Sequence, residues 1–187
     1  LMRVYDAATN TWSTGPSLPG PAVENPAATV LNGKLYVFGG STDPFSGAVT
    51  NAAVFDPSTN AWTALPAMPV ARGGATAQAI GNKIYVVGGM NAAGDYLDSV
   101  SAFDTSTSSW GTAASMATRR DNPASAVFGG KLYVFGGRTR NADGTVPVNN
   151  LSTVEMYDPA TNTWNFKASM PTGRRTMVVG VLNGRAL

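Results

Sequence analysis

Short apolar runs alternate with polar turns along the whole chain. Three of these runs read Lys34-Leu-Tyr-Val-Phe38, Lys83-Ile-Tyr-Val-Val87 and Lys131-Leu-Tyr-Val-Phe135, and each follows a two-residue turn such as Asn32-Gly33. Asn-Gly pairs accept positive φ and close tight hairpins, and nearly continuous apolar runs suit strands that are covered on both faces. No segment keeps apolar residues at helical spacing for three turns. The pattern therefore predicts an all-β fold.

Three kinds of marker recur with a period of about fifty residues, which indicates an internal repeat. The four tryptophans are separated by 50, 48 and 54 residues. An aromatic residue followed by Asp stands seven residues before each tryptophan, and a glycine doublet ends each apolar run. The markers are Trp12, Trp62, Trp110 and Trp164; Tyr5-Asp6, Phe55-Asp56, Phe103-Asp104 and Tyr157-Asp158; and Gly39-Gly40, Gly88-Gly89 and Gly136-Gly137.

This combination of markers resembles the kelch repeat, whose units are blades of a β-propeller. An Arg that follows Met by four residues, at Arg72, Arg120 and Arg174, also resembles kelch units. The first unit departs from the pattern, because Gly20-Pro-Ala-Val-Glu24 contains no Arg. The resemblance covers essentially the whole chain. It implies kelch-type propeller blades of four antiparallel strands, a to d, with about four blade equivalents in a partial or small propeller.

The unit boundaries leave the arrangement of the blades open. Residues 1–18 give strands c and d, residues 19–68, 69–116 and 117–170 give full units, and residues 171–187 give strand a (Thr176 to Leu182) with a stub of strand b. The last strand a could pair with the first c–d hairpin and close a four-bladed ring. Alternatively, the chain is a segment of a larger propeller, or two copies combine as a homodimer through open blade edges. Since proteins normally cover strand edges, we expect the second arrangement.

Most repeated residues are expected to serve folding. The glycine doublets lack the spacing of a phosphate-binding loop and are expected to let neighbouring strands approach closely. The tryptophans recur at one place in every unit, which favours packing between blades over a ligand platform. For Arg72, Arg120 and Arg174 we expect hydrogen bonds from one blade to the next.

Composition limits the chemistry that the chain can perform. It has no Cys and no His, which excludes disulfides, Cys- or His-ligated metals and Ser-His-Asp triads. A net charge of +2 does not suggest nucleic acid or an anionic membrane as partner. We expect no cofactor and no metal. Low charge, few Lys and many small polar residues resemble exported bacterial propellers, which favours a periplasmic or extracellular location.

The resemblance implies that the working face is built from residues just after the repeat Arg and just after Gly-Gly, in loops on one rim. The longest such loop runs from Arg138 to Asn150 and includes Asn141, Asp143 and Gly144. On this chain the candidate rim residues are Glu24, Asn25, Asp121, Asn122 and Arg175 after the arginine position, and Ser41, Asp43, Asn91, Arg138 and Arg140 after the doublets.

Arginine is unevenly distributed, because seven of the nine arginines lie from Arg119 onward. Guanidinium groups on one rim suit a carboxylate, a sulfate or an acidic peptide. The alternative is a solvated rim whose arginines pair with Asp121 and Asp143. The sequence thus predicts a non-catalytic module that binds a protein segment or a carbohydrate, with an anionic ligand as one of the two outcomes for the rim.

An enzyme is the second candidate. The chain resembles kelch-type sialic acid mutarotases, which implies Glu24 as the acid–base group and Arg138, Arg140 or Arg175 as the residue that holds a sugar carboxylate. Binding without catalysis is the interpretation that we favour, because no recognisable catalytic constellation accompanies Glu24.

Overall fold

The structure is a computed structural model that describes residues 2–43, 46–140 and 149–187. These residues form twenty short β-strands and no helix, so the described part contains no helix that is long and apolar enough to cross a membrane. All strand pairs are antiparallel. The predicted all-β class is therefore confirmed.

Twelve of the strands build three four-stranded sheets, which we call the first, second and third blades. The first blade holds β3 (Ala27–Leu31), β4 (Lys34–Phe38), β7 (Ala52–Asp56) and β8 (Ala61–Ala64); the second holds β9 (Thr76–Ile80), β10 (Lys83–Val87), β11 (Val100–Asp104) and β12 (Ser109–Ala113); the third holds β13 (Ala124–Phe128), β14 (Lys131–Phe135), β17 (Val154–Asp158) and β18 (Thr163–Lys167). In each blade the strands pair in chain order, as strands a, b, c and d.

The remaining strands form four two-stranded hairpins. Two of them lie at the termini of the described chain: β1 (Met2–Asp6) with β2 (Thr11–Gly15), and β19 (Val181–Leu182) with β20 (Arg185–Ala186). The other two lie in loops between strands b and c: β5 (Ser41–Asp43) with β6 (Ser46–Ala48), and β15 (Arg138–Thr139) with β16 (Asn149–Asn150).

The last strand a is shorter than the sequence predicts. We expected it from Thr176 to Leu182, but only Val181 and Leu182 form a ladder, with Ala186 and Arg185. Gly180 and Leu187 exchange two further backbone hydrogen bonds next to this ladder, and residues 176–179 belong to no strand.

The core lies between the blades. Strand b of the second blade, β10, packs against both neighbouring blades, and this explains why its sequence is apolar without interruption. In β10, Ile84 and Val86 pack toward Phe38 of the first blade. Tyr85 and Val87 point to the opposite face and pack with Leu132 of the third blade. Alternate residues of one strand thus bury against two different neighbours, and both faces must be apolar.

The glycine doublets mark the places where neighbouring blades touch through their backbones. A Cβ on Gly88, which has φ of 65°, would lie 2.7 Å from the Arg120 carbonyl oxygen. A Cβ on Gly89 would lie 2.7 Å from the Gly73 carbonyl oxygen. No side chain fits at these distances, so the predicted close approach of strands is what the doublets provide.

Three tryptophans connect successive blades. The indole N–H of Trp62 donates to the Pro16 carbonyl oxygen at 3.0 Å, and that of Trp110 donates to Pro66 at 2.8 Å. Trp164 donates to the Ala114 carbonyl oxygen at 2.7 Å. In each case the acceptor stands four residues after the preceding tryptophan, so the predicted packing between blades is confirmed for these three. Trp12 is 70% exposed.

Candidate functional site

Two of the repeat arginines, Arg72 and Arg120, join one blade to the next. The Arg120 backbone belongs to the second blade, since its N–H donates to Leu97 and its carbonyl accepts from Gly89. Its guanidinium reaches the third blade and donates to the carbonyl oxygen of Gly136 at 2.8 Å and to Glu155 Oε1 at 2.5 Å. The expected hydrogen bonds between blades are therefore present for Arg120, and this guanidinium is not accessible to a ligand. Arg174, for which the same bonds were expected, is exposed and makes none to the described residues.

Arg72 makes the same connection between the first and second blades with neutral partners. Its guanidinium donates to the carbonyl oxygens of Gly88 and Ser99 and to the hydroxyls of Ser99 and Ser101, at 2.8 to 3.2 Å. Burial lowers the pKa of Arg72 to about 10, and the charge of Asp98 opposes that shift only in part. Burial also lowers the pKa of Arg120, and Glu155 opposes that shift.

The predicted rim loops meet in pairs. Glu24 and Ser41 exchange two backbone hydrogen bonds of 2.9 Å, and Gly73 with Met90 and Asp121 with Arg138 form the equivalent bridges in the next two blades. In each bridge a residue after the arginine position joins a residue after the glycine doublet. The fold thus brings Glu24 next to Ser41 and Asp121 next to Arg138, although the two residues of each pair are 17 positions apart in sequence.

A row of three backbone hydrogen bonds lies beside these bridges. Gly74 N donates to the Asn25 carbonyl, Asn122 N to Gly74, and Thr176 N to Asn122, at 2.8 to 3.0 Å. All four residues have φ between 50° and 64°, a left-handed conformation that Asn and Gly tolerate best. They line a cavity of about 230 Å³, where equivalent positions of successive units meet.

One cluster of charged and aromatic side chains occupies the rim between the second and third blades. Asp121 is 2% exposed, and its Oδ2 accepts from Arg138 Nε at 2.6 Å and from Asn122 Nδ2 at 2.9 Å. The guanidinium carbon of Arg138 lies 5.5 Å from the centre of the Tyr96 ring, and that of Arg140 lies 4.9 Å from it. We call Tyr96, Asp121, Asn122, Arg138 and Arg140 the rim cluster.

The two arginines of the cluster differ in how they bear on the alternatives that the sequence left open. Arg138 is half-buried and paired with Asp121, as the solvated-rim alternative predicts. Arg140 is exposed, and its guanidinium lies over the Tyr96 ring with no carboxylate partner among the described residues. A cation held over an aromatic face keeps its hydrogen-bond donors available for an anion. Asn141, Asp143 and Gly144, which the sequence placed in the same loop, lie outside the described residues.

Tyr96 is the residue that sequence reasoning missed. It lies in the loop between β10 and β11 and is 6% exposed. One feature of the sequence points to Tyr96: it is an aromatic residue in a variable loop of one unit, at a position that has no counterpart in the other units. Such a residue does not stand out in a repeat, whose recognisable positions are those that the units share.

The other predicted rim residues lie apart from the cluster. Asn91 closes its own turn, since its Oδ1 accepts from the N–H groups of Ala93 and Asp95 at 2.9 and 2.8 Å. Asp43 is exposed and accepts from the Ser46 hydroxyl at 3.3 Å. Glu24 and Arg175 are exposed, and no ion pair joins either side chain to another described residue. Asn25 lines the cavity, and Ser41 is buried beneath the first bridge.

Comparison with family models finds one match over most of the chain. The KLHDC2/KLHL20/DRC7 Kelch-repeats domain matches residues 25–187. Among solved structures, that of YjhT superposes with a TM-score of 0.79 over 94% of this chain and 61% of that one, at 20% sequence identity. This second likeness concerns the fold alone, and it agrees with the three four-stranded blades.

Curated relatives of two kinds match about half of the chain. Kelch-like protein terF of Aspergillus terreus is 35% identical over 48% of this chain and 20% of its own length, and Kelch-like protein 25 of Xenopus tropicalis is 40% identical over 47% and 14%. N-acetylneuraminate epimerase of Pasteurella multocida is 41% identical over 43% of this chain and 22% of its own length. The chain thus matches a quarter or less of the length of each of these proteins.

Proposed function

Because this chain belongs to the kelch-repeat family, we propose that it is a non-catalytic interaction module that binds a protein segment or a carbohydrate on its loop rim. Membership of the family supports a propeller interaction module. The rim cluster supports a more specific ligand, one that carries a carboxylate or a similar anionic group. The observation that carries this proposal is the exposed Arg140 guanidinium over the Tyr96 ring.

Charge and burial in the cluster favour one anion at Arg140. Asp121 neutralises Arg138 at 2.6 Å, which leaves the charge of Arg140 without a carboxylate among the described residues. Tyr96 is almost fully buried and therefore offers a fixed surface for the guanidinium. An arginine that is already oriented loses little side-chain freedom when it binds a carboxylate through its planar fork.

We expect an acidic peptide to bind more tightly than its neutral counterpart. The probes are fluorescein-labelled hexaglutamate and hexaglutamine, titrated with the protein and followed by fluorescence polarisation. Arg140→Gln should raise the Kd for hexaglutamate at least about tenfold, because a hydrogen bond to a charged group contributes about 1.5–3 kcal/mol. Higher salt should weaken the wild-type complex.

Arg119→Gln is the matched control. Arg119 is also exposed, but it lies outside the rim cluster, and its Nε is 3.4 Å from Asp98 Oδ2 on the second blade. It should leave the Kd for hexaglutamate unchanged. Equal binding of the two peptides, or equal loss of affinity in both variants, would show that Arg140 is not a ligand-binding residue.

An enzyme that acts on an acidic sugar is the second candidate, favoured by the likeness to N-acetylneuraminate epimerases. In this alternative Glu24 is the acid–base group and an arginine holds the sugar carboxylate. The same titration with N-acetylneuraminate, combined with NMR measurement of anomer exchange, separates the two functions. Exchange accelerated by the wild type and lost in Glu24→Gln would favour the enzyme, whereas binding without acceleration would favour the module.

We also propose that copies of this chain associate through their open blade edges. Trp12 is exposed, and its indole N–H has no acceptor among the described residues, unlike the other three tryptophans. Tyr5 and Val4 on the same hairpin are also exposed. Such an edge is ready to pair with a strand of another molecule.

A further inference from the structure

A pocket of about 190 Å³ lies between the second and third blades, beside the first residue of β10. Of the residues that line it, Tyr85, Ala102 and Tyr157 are buried, whereas Lys83 and Asn162 are exposed. The pocket is therefore closed toward the core and open to solvent. The loops of the rim cluster lie beyond the opposite end of β10, so this pocket, which we call the polar pocket, is a separate site.

Lys83 brings a charge that no ion pair neutralises among the described residues. The lysines at the same position of the other blades, Lys34 and Lys131, each pair with the last Asp of strand c. In the second blade that Asp is Asp104, the register partner of Lys83, which lies beyond ion-pair distance and accepts from two backbone N–H groups of the following turn. The Lys83 ammonium therefore has its donors available for a ligand.

Tyr85 brings a second unused donor. Its side chain is 6% exposed, and its hydroxyl has no hydrogen-bond partner in the described part of the chain. Buried tyrosine hydroxyls usually have a partner, as the hydroxyl of Tyr157 has in Asn162 Oδ1 at 2.8 Å. Burial raises the pKa of Tyr85, so the hydroxyl keeps its proton and can donate it to an acceptor in the pocket.

Asn162 supplies a third donor in a fixed orientation. Its Oδ1 accepts from the N–H of Ala114 at 2.9 Å and from the Tyr157 hydroxyl. A backbone N–H can only donate, so the bond from Ala114 settles which end of the amide is the oxygen. The Nδ2 group at the other end has no acceptor among residues 2–43, 46–140 and 149–187.

The corresponding space between the first and second blades is lined by larger, apolar side chains. Three positions differ between the two boundaries: Val54, Leu65 and Phe103 at the first correspond to Ala102, Ala113 and Tyr157 at the second. Leu65 and Phe103 belong to the apolar packing of the first boundary. Packing between blades requires the same kinds of residue in each unit, so the polar pocket is not part of what the repeat needs for folding.

We propose that the polar pocket binds a short-chain carboxylic acid as its carboxylate. Donors predominate in the pocket, because the Lys83 ammonium and the Asn162 amide nitrogen can only donate, and this suits a carboxylate. The rings of Tyr85 and Tyr157, with centres 5.3 Å apart, and the methyl group of Ala102 offer apolar contact for a short hydrocarbon chain.

The size of the pocket limits the ligand to a small molecule. A volume of about 190 Å³ corresponds to about six water molecules at about 30 Å³ each. Sites for larger organic ligands usually have about 300–1,000 Å³. The inference goes beyond the proposed function and does not depend on ligand binding at the rim cluster.

Butyrate is the probe, and butyramide, which has a similar shape and no charge, is its neutral counterpart. In two-dimensional ¹H–¹⁵N NMR, butyrate should give saturable shifts at the backbone amides around Lys83, Thr112 and Asn162. Butyramide should bind at least tenfold more weakly, because it lacks the charge that the ammonium of Lys83 attracts. Equal binding of the two compounds, no saturation by butyrate, or shifts confined to the loops of the rim cluster would overturn the proposal.

Two conservative variants test the donors. Tyr85→Phe removes only the hydroxyl and should raise the Kd for butyrate about tenfold, because a hydrogen bond to a carboxylate is lost. Lys83→Gln should raise it by at least as much. The matched controls Tyr36→Phe and Lys34→Gln make the same changes at the same positions of the first blade and should leave the Kd unchanged. An unchanged Kd in both pocket variants, or equal losses in the controls, would contradict the site.

Ala102→Val tests the space, because it places in the second blade the residue that the first blade carries at Val54. The variant should no longer bind butyrate while its NMR spectrum stays dispersed. Undiminished binding by the folded variant would show that butyrate lies elsewhere and would overturn the polar pocket as its site. If the larger side chain prevents folding, Tyr85→Phe and Lys83→Gln decide the question.

Discussion

Identical repeat residues differ in what they do, and the difference depends on the blade that follows them. Arg120 is fully buried and binds Glu155 of the next blade, whereas Arg174 occupies the same repeat position and is exposed. The Arg174 backbone is held as the others are, since its N–H donates to Leu151 and its carbonyl accepts from Gly137. The sequence shows three equivalent arginines, but only two of them have a socket for the guanidinium among the described residues.

This contrast gives a prediction on the free energy of unfolding. Arg120→Leu should lower it by about 3–5 kcal/mol, because Glu155 would be left buried without its counter-charge. Arg174→Leu should change it by less than about 0.5 kcal/mol, as substitutions at exposed positions usually do. Urea denaturation of both variants measures the difference. Equal effects would mean that the buried pair does not stabilise the boundary between the second and third blades.

At the scale of elements, the local pattern of apolar residues determines the strands, and the glycine doublets determine where the backbones of neighbouring blades can touch. The apolar runs of β4, β10 and β14 predicted strands with two buried faces, and packing on both sides of β10 confirms this. The doublets end these strands where another backbone crosses. Sequence reasoning failed at the last strand a, because its predicted length depends on a partner strand and not on its own residues.

The doublets and the turn glycines should respond differently to the same substitution. Gly88 and Gly129 both have positive φ, at 65° and 59°, but only at Gly88 would an added Cβ have neighbours within 4 Å, including the Arg120 carbonyl oxygen. Gly88→Asn should therefore lower the free energy of unfolding by about 2–3 kcal/mol through overpacking. Gly129→Asn should cost less than about 0.5 kcal/mol, since Asn tolerates this conformation in an open turn.

Thermal or urea denaturation distinguishes the two glycines. A large loss in both variants would show that backbone conformation, and not contact with the next blade, explains the doublets.

At the scale of the whole molecule, one aspartate in each blade makes the free energy of unfolding depend on pH in the acid range. Hydrogen bonds hold the pKa values of three aspartates below the usual 3.8: from Lys34 to Asp56, from the Ser106 backbone to Asp104, and from Lys131 to Asp158. A carboxyl whose pKa is lower in the folded state contributes stability that is complete above the unfolded-state pKa. That contribution is lost as the pH falls below about 4.

The melting temperature should therefore fall steeply between pH values of about 4 and 2, and more gently in Asp104→Asn, because Asn keeps the turn acceptor but does not titrate. Differential scanning calorimetry across this range measures both profiles. Identical slopes for the wild type and the variant would mean that Asp104 carries the same pKa in the folded and unfolded states.

The sequence by itself determined the repeat, the all-β fold class, the turns and the roles of Trp62 and Arg120. Every blade packs on its neighbour in the same way, and this packing requires the same residues at the same spacing in each unit. The sequence also named Asp121, Asn122, Arg138 and Arg140 as candidate rim residues, but only the tertiary structure decided which of them meet and added Tyr96 to them. Tyr96, Asp121 and Arg140 lie in loops that follow β10, β12 and β14, and packing of the second blade on the third brings these loops together. Such contacts do not recur from unit to unit and leave no periodic signal in the chain.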